Sequence, residues 1–280
     1  MKLLRYGPKG AEKPGLLDAN NQIRDLSSII PDLTGDTVDP GTMARLSALD
    51  TDTLPPVEGT PRIGPCIGNV GKLVCIGLNY SDHAKETGSP IPSEPIVFMK
   101  ATSSINGPDD DIELIRNSVK TDWEVELGFV IGRETKYVTE AQALDHVAGY
   151  CIVTDVSERE WQIERQGNWS KGKSGDTYGP IGPWLVTPDE VGDPQSLGLW
   201  LDVNGTRHQD GNTNTMIFPV SKIISYLSEC MSLQPGDVIA TGTPPGVGMG
   251  MKPQVFLRAG DTMRVGVEGL GVQAQRIVDA

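Results

Sequence analysis

Thirty-three glycines and 21 prolines are spread through the 280 residues of this chain, and that punctuation constrains the fold more than any other feature. Glycine opens turns at positive φ and proline ends or kinks helices, so few windows can hold a long uninterrupted helix. Short strands joined by turns remain. The expected class is α+β, mainly β, rather than a helical bundle. A chain of this length can bury a sizeable core, as one large domain or as a main domain with a small appendage.

Residues 1–62 read as a small N-terminal β-rich domain: LLRYG and PGLLD, a turn at Asn20 and Asn21, then QIRDL and short polar helical stretches, with no candidate chemistry. Four prolines in LPPVEGTPRIGP, Leu54 to Pro65, mark a boundary, because proline restricts both itself and its predecessor. Residues 63–280 form the larger domain. Its KLVCIGLNY, PIVFMK, WEVELGFVIG and YCIVTD segments have strand character, and SDHAKETG reads as a short helix capped by Ser81 and stopped by Gly88. TEAQALDHVAGY has helical spacing from Ala141 to Val147, and VSKIISYLSECMSL sets Ile223, Ile224, Leu227 and Met231 on one helical face. Asn204-Gly205 supplies the two positive-φ positions of a type I′ hairpin.

Charge and cysteine usage exclude several function classes. With 37 acidic against 24 basic residues the formal charge is -13, and no Lys/Arg stripe offsets it, so nucleic acid is not an expected partner. Cys66, Cys75, Cys151 and Cys230 show no CxxC spacing, which fits free thiols in a reducing compartment and argues against a zinc-thiolate site. No window approaches the ~18 apolar residues of a membrane span, and MKLLRYGPKG meets Pro and Gly before any apolar run of signal-peptide length. A cytoplasmic protein with no membrane partner is expected.

Glu124 and Glu126 lie two apart in an otherwise apolar strand, so the period of two directs both carboxylates to one face. Like charges facing an interior cost several kcal/mol unless paired or metal-bound, and Asp155 at the end of YCIVTD offers a third hard oxygen. Such a set suits Mg²⁺, Mn²⁺ or Ca²⁺. An isolated ExE is more often a solvated, salt-bridged strand face, and the pair alone does not decide between these. His83 and Glu86 stand at i and i+3, where a carboxylate can orient an imidazole as a base; a surface or capping role competes on spacing alone. His146 and His208 keep ordinary structural readings. Lys171 and Lys173 fall in a Gly/Ser-dense loop where a ligand can approach, although such pairs are usually solvated. TGTPPGVG offers Thr243 and free amides in a glycine-rich turn, but it lacks the GxxxxGK[ST] pattern of a phosphate loop.

Taken in order, GLNYSDHAKE, PIVFMKATSSINGP, WEVELGFVIG, TDVSERE, KGKSGDTYGPIGP, MIFPVSKIISYLS and LQPGDVIATGTPPGVG resemble the fumarylacetoacetate hydrolase family from about Lys72 to Gly248. The resemblance implies a mixed β-sandwich or β-roll catalytic domain, a homodimer, and a divalent metal, Mg²⁺ or Mn²⁺, at the open end. It places the metal ligands on Glu124, Glu126 and Asp155 and the catalytic dyad on His83 and Glu86. It places the active-site lysine on Lys173 and substrate contacts on Lys100 and Thr243. The short helix around His83 corresponds to a segment that is a mobile lid in relatives.

Three carboxylates around a divalent ion leave net negative charge, so an anionic substrate needs Lys173 as well as the metal. A small 2-oxo acid meets that demand. The opening MKLLRYGPKGAEKPGLLDANNQIRDLS looks like that of enzymes cleaving 2,4-diketo-3-deoxy-L-fuconate between C3 and C4 to pyruvate and lactate. The same scaffold supports ureidoglycolate lyase, oxaloacetate decarboxylase and dioxo-acid isomerase activities, and metal ligands do not separate them. A non-catalytic metal- or ligand-binding module is the alternative of another class; loss of His83, Glu86 or Lys173 would have favoured it, and all three are present.

Overall fold

A computed structural model describes residues 1–88 and 90–280. Short strands dominate, as the glycine and proline spacing requires. The main sheet has ten strands. Its order runs Ile23–Asp25, Lys13–Leu17, Lys2–Tyr6, Gly179–Val186, Val147–Thr154, Val125–Ile131, Val238–Ala240, Leu73–Gly77 and Ile96–Lys100, with Ile105–Asn106 paired beside Gly179–Val186. A second sheet of five strands, Thr206–Asn212, Gly198–Val203, Thr262–Val267, Gly271–Val278 and Ile112–Glu113, packs against it.

The alternation of side chains explains how the two faces of the main sheet are used. Val125, Leu127, Phe129 and Ile131 enter one core together with Leu199, Leu201 and Val265 of the second sheet. That core also takes Ile223, Ile224 and Leu227 of the helix Val220–Cys230, whose side chains are each fully buried at about 1.5–3 kcal/mol apiece. The helix stops at Cys230, so Met231 caps it in extended backbone rather than continuing the face. Val130, Leu73, Cys75, Cys151 and Val153 point to the opposite face and enter a second core.

Leu3, Leu16, Leu26, Leu33 and Leu46 complete that second core, and Lys2–Tyr6 pairs antiparallel with Gly179–Val186. The first 62 residues, expected to form a small N-terminal domain, contribute three strands to the main sheet and share its hydrophobic interior across the proline-rich connector. The physical reason is long-range strand pairing, which local composition does not encode.

The turn at Asn204-Gly205 has φ of 50° and 78°, as its type I′ reading requires. The helix Ser81–Thr87 ends on Gly88 in left-handed conformation, but its N-cap is Tyr80, not Ser81. Helical spacing after Thr139 yields only Glu140–Ala143 and a 3-10 turn Leu144–His146, because strand pairing captures the chain from Val147 onward. Among the described residues, no helix is long and apolar enough to cross a membrane.

Candidate active site

Glu124 and Glu126 share a side with Val130, opposite in direction to Val125 and Leu127. Register then adds the third carboxylate. Val153 pairs with Glu126 and Thr154 with Val125, and the Asp155 amide donates to the Glu124 carbonyl at 3.0 Å. Phe98 and Lys100, two apart on the Ile96–Lys100 strand, fall on this face as well. One oxygen from each of Glu124, Glu126 and Asp155 comes within 4.8 Å of the others, and all three residues are buried.

Cations offset this charge unequally. Lys173 Nζ donates to Glu124 Oε2 at 2.7 Å and to Asp155 Oδ2 at 2.6 Å. Lys100 Nζ reaches Asp155 Oδ1 at 2.6 Å and the Val156 carbonyl at 3.1 Å. Arg159 Nη2 lies 2.6 Å from Glu124 Oε1, while its Nε donates to Asp122 Oδ2 at 2.8 Å. Burial alone would raise the Glu124 carboxyl, but Lys173 and Arg159 outweigh it and hold the group at about 2. Among the described residues, no lysine or arginine is paired with Glu126. Its Oε2 accepts from the Gly242 amide at 2.7 Å, and burial, followed by the charges of Asp155 and Glu124, pushes its carboxyl well above the usual range. A buried, undercompensated set of carboxylate oxygens is the donor set a hard divalent cation requires, so these residues fit such an ion.

The cavity above the carboxylates has a volume of about 240 Å³ and is lined by His83, Glu124, Glu126, Lys173 and Thr243 among others. His83 Nδ1 lies 2.8 Å from Glu86 Oε2. A carboxylate can only accept, so Nδ1 carries the proton and Nε2 is the basic nitrogen. Glu86 is itself anchored: its Oε1 accepts from the Gly246 amide at 2.9 Å. Gly246 has φ +104°, and a Cβ there would overlap the His208 carbonyl oxygen. Only glycine lets the turn pass close enough to hold Glu86. Leu78 also lines the cavity and adopts φ 48°, a costly conformation for a bulky residue at the corner between the Leu73–Gly77 strand and the His83 helix.

Two expected substrate contacts take different positions. Thr243 lines the cavity, but its hydroxyl donates to the Val125 carbonyl at 2.8 Å and accepts from Gln209 Nε2 at 2.8 Å, which pins the glycine turn to the Glu124–Glu126 segment. Lys100 is wholly buried against Asp155 and is not part of the lining; its contacts position the Asp155 carboxylate. Sequence reasoning missed Arg159 and Gln162, both buried and both lining the cavity, with Arg159 Nη1 donating to Gln162 Oε1 at 3.0 Å. Their spacing of four and seven from Asp155 was the available signal, but in TDVSERE a charged run looks solvated.

The fumarylacetoacetate (FAA) hydrolase C-terminal family model matches residues 72–278. A protein of Burkholderia cenocepacia (strain HI2424) that carries only the general designation hydrolase is 66% identical over 281 residues, covering 100% of both chains. The fumarylacetoacetate hydrolase structure from psychrophilic Exiguobacterium antarcticum superposes with a TM-score of 0.88 at 35% identity, over 100% of each chain. The maleylpyruvate hydrolase of Sphingobium sp. SYK-6, solved with manganese(II) and pyruvate, gives a TM-score of 0.83 at 26% identity, again over 100% of each chain. With the match extending over the strands that carry Glu124, Glu126 and Asp155 and over the turn that carries Thr243, this chain belongs to the fumarylacetoacetate hydrolase family of enzymes.

Proposed function

We propose that the protein is a divalent-metal-dependent hydrolase that cleaves the C3–C4 bond of a 2,4-dioxo acid, with 2,4-diketo-3-deoxy-L-fuconate as substrate and pyruvate and lactate as products, in sugar-acid breakdown. One observation carries the reading: a base oriented by a carboxylate, a buried lysine and a three-carboxylate cluster converge on one small cavity. The manganese(II) and pyruvate in the structure of the Sphingobium relative support it. Glu124, Glu126 and Asp155 would hold Mg²⁺ or Mn²⁺. When bound, such an ion supplies Lewis-acid stabilisation of charge developing on the substrate's 2-oxo group.

The chain's own residues do the rest. Glu86, fixed by the Gly246 amide, orients His83, whose Nε2 takes a proton from water as that water attacks the C4 carbonyl. The new C4–O bond forms, the C3–C4 electron pair passes to C3, and a proton delivered to C3 completes pyruvate. Lys173 remains cationic, because Asp155 and Glu124 outweigh the effect of its burial, and it stabilises negative charge on substrate oxygen.

The test is pyruvate release from 2,4-diketo-3-deoxy-L-fuconate by EDTA-stripped protein before and after Mg²⁺ is restored. Release should depend on metal, and His83→Ala should lower kcat by about 10²–10⁴-fold while calorimetric metal affinity stays at the wild-type value. No release from folded, metal-loaded protein would reject this substrate, and wild-type turnover by His83→Ala would reject the base.

A further inference from the structure

We infer that the outer half of the cavity selects a small, uncharged acyl group on the substrate and rejects one that ends in a second carboxylate. This rests on the hydrolase reading above and concerns the end of the substrate beyond the scissile bond.

The cavity changes character with distance from the carboxylates. Lys173, which touches Glu124 and Asp155, has its Nζ 5.1 Å from the centroid of the Phe98 ring. Phe98 in turn meets Trp169 edge to face at 5.3 Å. Trp169 lies close enough to Gly77 that a Cβ at Gly77 would overlap its ring. Ile96 and Ile163 are the exposed residues of the lining, at 37% and 49%, and therefore form its mouth. From Lys173 outward the wall is Phe98, Trp169, Ile96 and Ile163: apolar throughout. At about 240 Å³ the space falls below the ~300–1,000 Å³ of ordinary ligand clefts, which restricts the acyl group to a short one.

The lining cations are already engaged. Among the described residues that line the cavity these are Arg159 and Lys173. Lys173 is shared by two carboxylates, and Arg159 is shared by Asp122 and Glu124. Gln162, whose Oε1 accepts from Arg159, contributes an uncharged NH₂ donor. A substrate bringing one carboxylate to the inner end is matched by metal and Lys173. A second carboxylate held inside the mouth, against Phe98 and Trp169, would lose water to aromatic carbon while the lining cations are already paired, which is unfavourable. A methyl or hydroxyalkyl end would bury apolar surface there at no such cost.

Two pairs of probes test this on the Mg²⁺-loaded protein. Acetylpyruvate and succinylpyruvate share the scissile 2,4-dioxo acid, and succinylpyruvate extends the acyl end by a methylene and a terminal carboxylate. 2-Oxopentanoate and 2-oxoglutarate are five-carbon acids of equal chain length that differ in the terminal carboxylate alone, read as ligands by thermal shift. Wild-type kcat/KM should favour acetylpyruvate by about tenfold or more, and 2-oxopentanoate should raise Tm at concentrations where 2-oxoglutarate does not. Ile163→Arg, at the exposed mouth, should narrow or invert both preferences, and Ile96→Lys provides the same change at a second position. Equal or better use of succinylpyruvate, with equal binding of 2-oxoglutarate, would overturn the inference and leave the hydrolase reading standing. Cleavage of neither acylpyruvate, with 2-oxopentanoate still preferred in binding, would count against C3–C4 hydrolysis while upholding the cavity's selection of an uncharged outer end. No discrimination in either assay would sink the inference.

Discussion

At Glu126 a fully buried carboxyl lies between Asp155 and Glu124 and accepts a hydrogen bond from the Gly242 amide. Its folded-state pKa is raised above the unfolded value, so the folded protein binds the proton more tightly than the unfolded chain does. The resulting penalty is absent below the unfolded pKa and grows as pH rises toward the folded pKa. Glu126→Gln cannot titrate and escapes it. In EDTA-stripped protein at pH 8 the variant should therefore be more stable than the parent, on the order of 1–4 kcal/mol, with the gap closing toward pH 4.5. It should also lose the Tm increase that Mg²⁺ gives the parent. Chemical denaturation at the two pH values measures the first effect, and a parent more stable than the variant at pH 8 would contradict it. That Glu124 and Glu126 share a face was legible in the sequence because strand periodicity makes a testable statement about direction. Arg159 and Lys100 were not fully legible: which cation neutralises which acid depends on contacts 35 to 55 positions apart, as in Arg159–Glu124 and Lys100–Asp155.

The turn following the Val238–Ala240 strand acts as a brace between the carboxylate cluster and the His83–Glu86 pair. Thr243 ties it to Val125, Trp123 Nε1 donates to the Gly246 carbonyl at 3.0 Å, and Asp122 accepts from the Gly248 and Met249 amides at 2.7 and 3.0 Å. The Gly246 amide then meets Glu86. Gly246→Ala would strain a φ of +104° and force the turn away from the His208 carbonyl, carrying the amide off Glu86. The expected result is a fall in kcat of about 10–100-fold with calorimetric Mg²⁺ affinity retained, since none of the three ligand carboxylates is displaced directly. Loss of metal binding together with activity would show instead that the turn supports the whole sheet end. The glycine-rich composition of TGTPPGVG was visible at once, but its partners were not. A turn can be recognised from its own residues, whereas what it holds is decided by the elements that pack around it.

Across the whole molecule, the N-terminal segment and the family domain are joined by pairing, packing and charge. Gly64 donates its amide to the Arg5 carbonyl at 2.8 Å, and Gly68 to that of Leu33 at 2.7 Å. The Arg62 guanidinium bridges Glu12 and Asp110 at 2.9 and 2.5 Å. Leu3, Leu16, Leu26 and Leu33 cover Leu73, Cys75, Val130 and Val153, the face that also carries Glu124 and Glu126. Removing residues 1–62 would open a long edge at Gly179–Val186 and expose that apolar face to water, a combination that favours aggregation. The deletion variant should therefore fail to give monodisperse folded protein by size-exclusion chromatography and circular dichroism. The intact chain should unfold in one cooperative transition that probes in both segments report together. Separate transitions, or a truncated protein that folds and still binds Mg²⁺, would show that the segment is a dispensable addition. The proline-rich connector suggested a divisible chain because loops are written locally. The shared sheet argues for one folding unit because hydrophobic cores are assembled from residues far apart in sequence, here Leu3 with Leu185 in register.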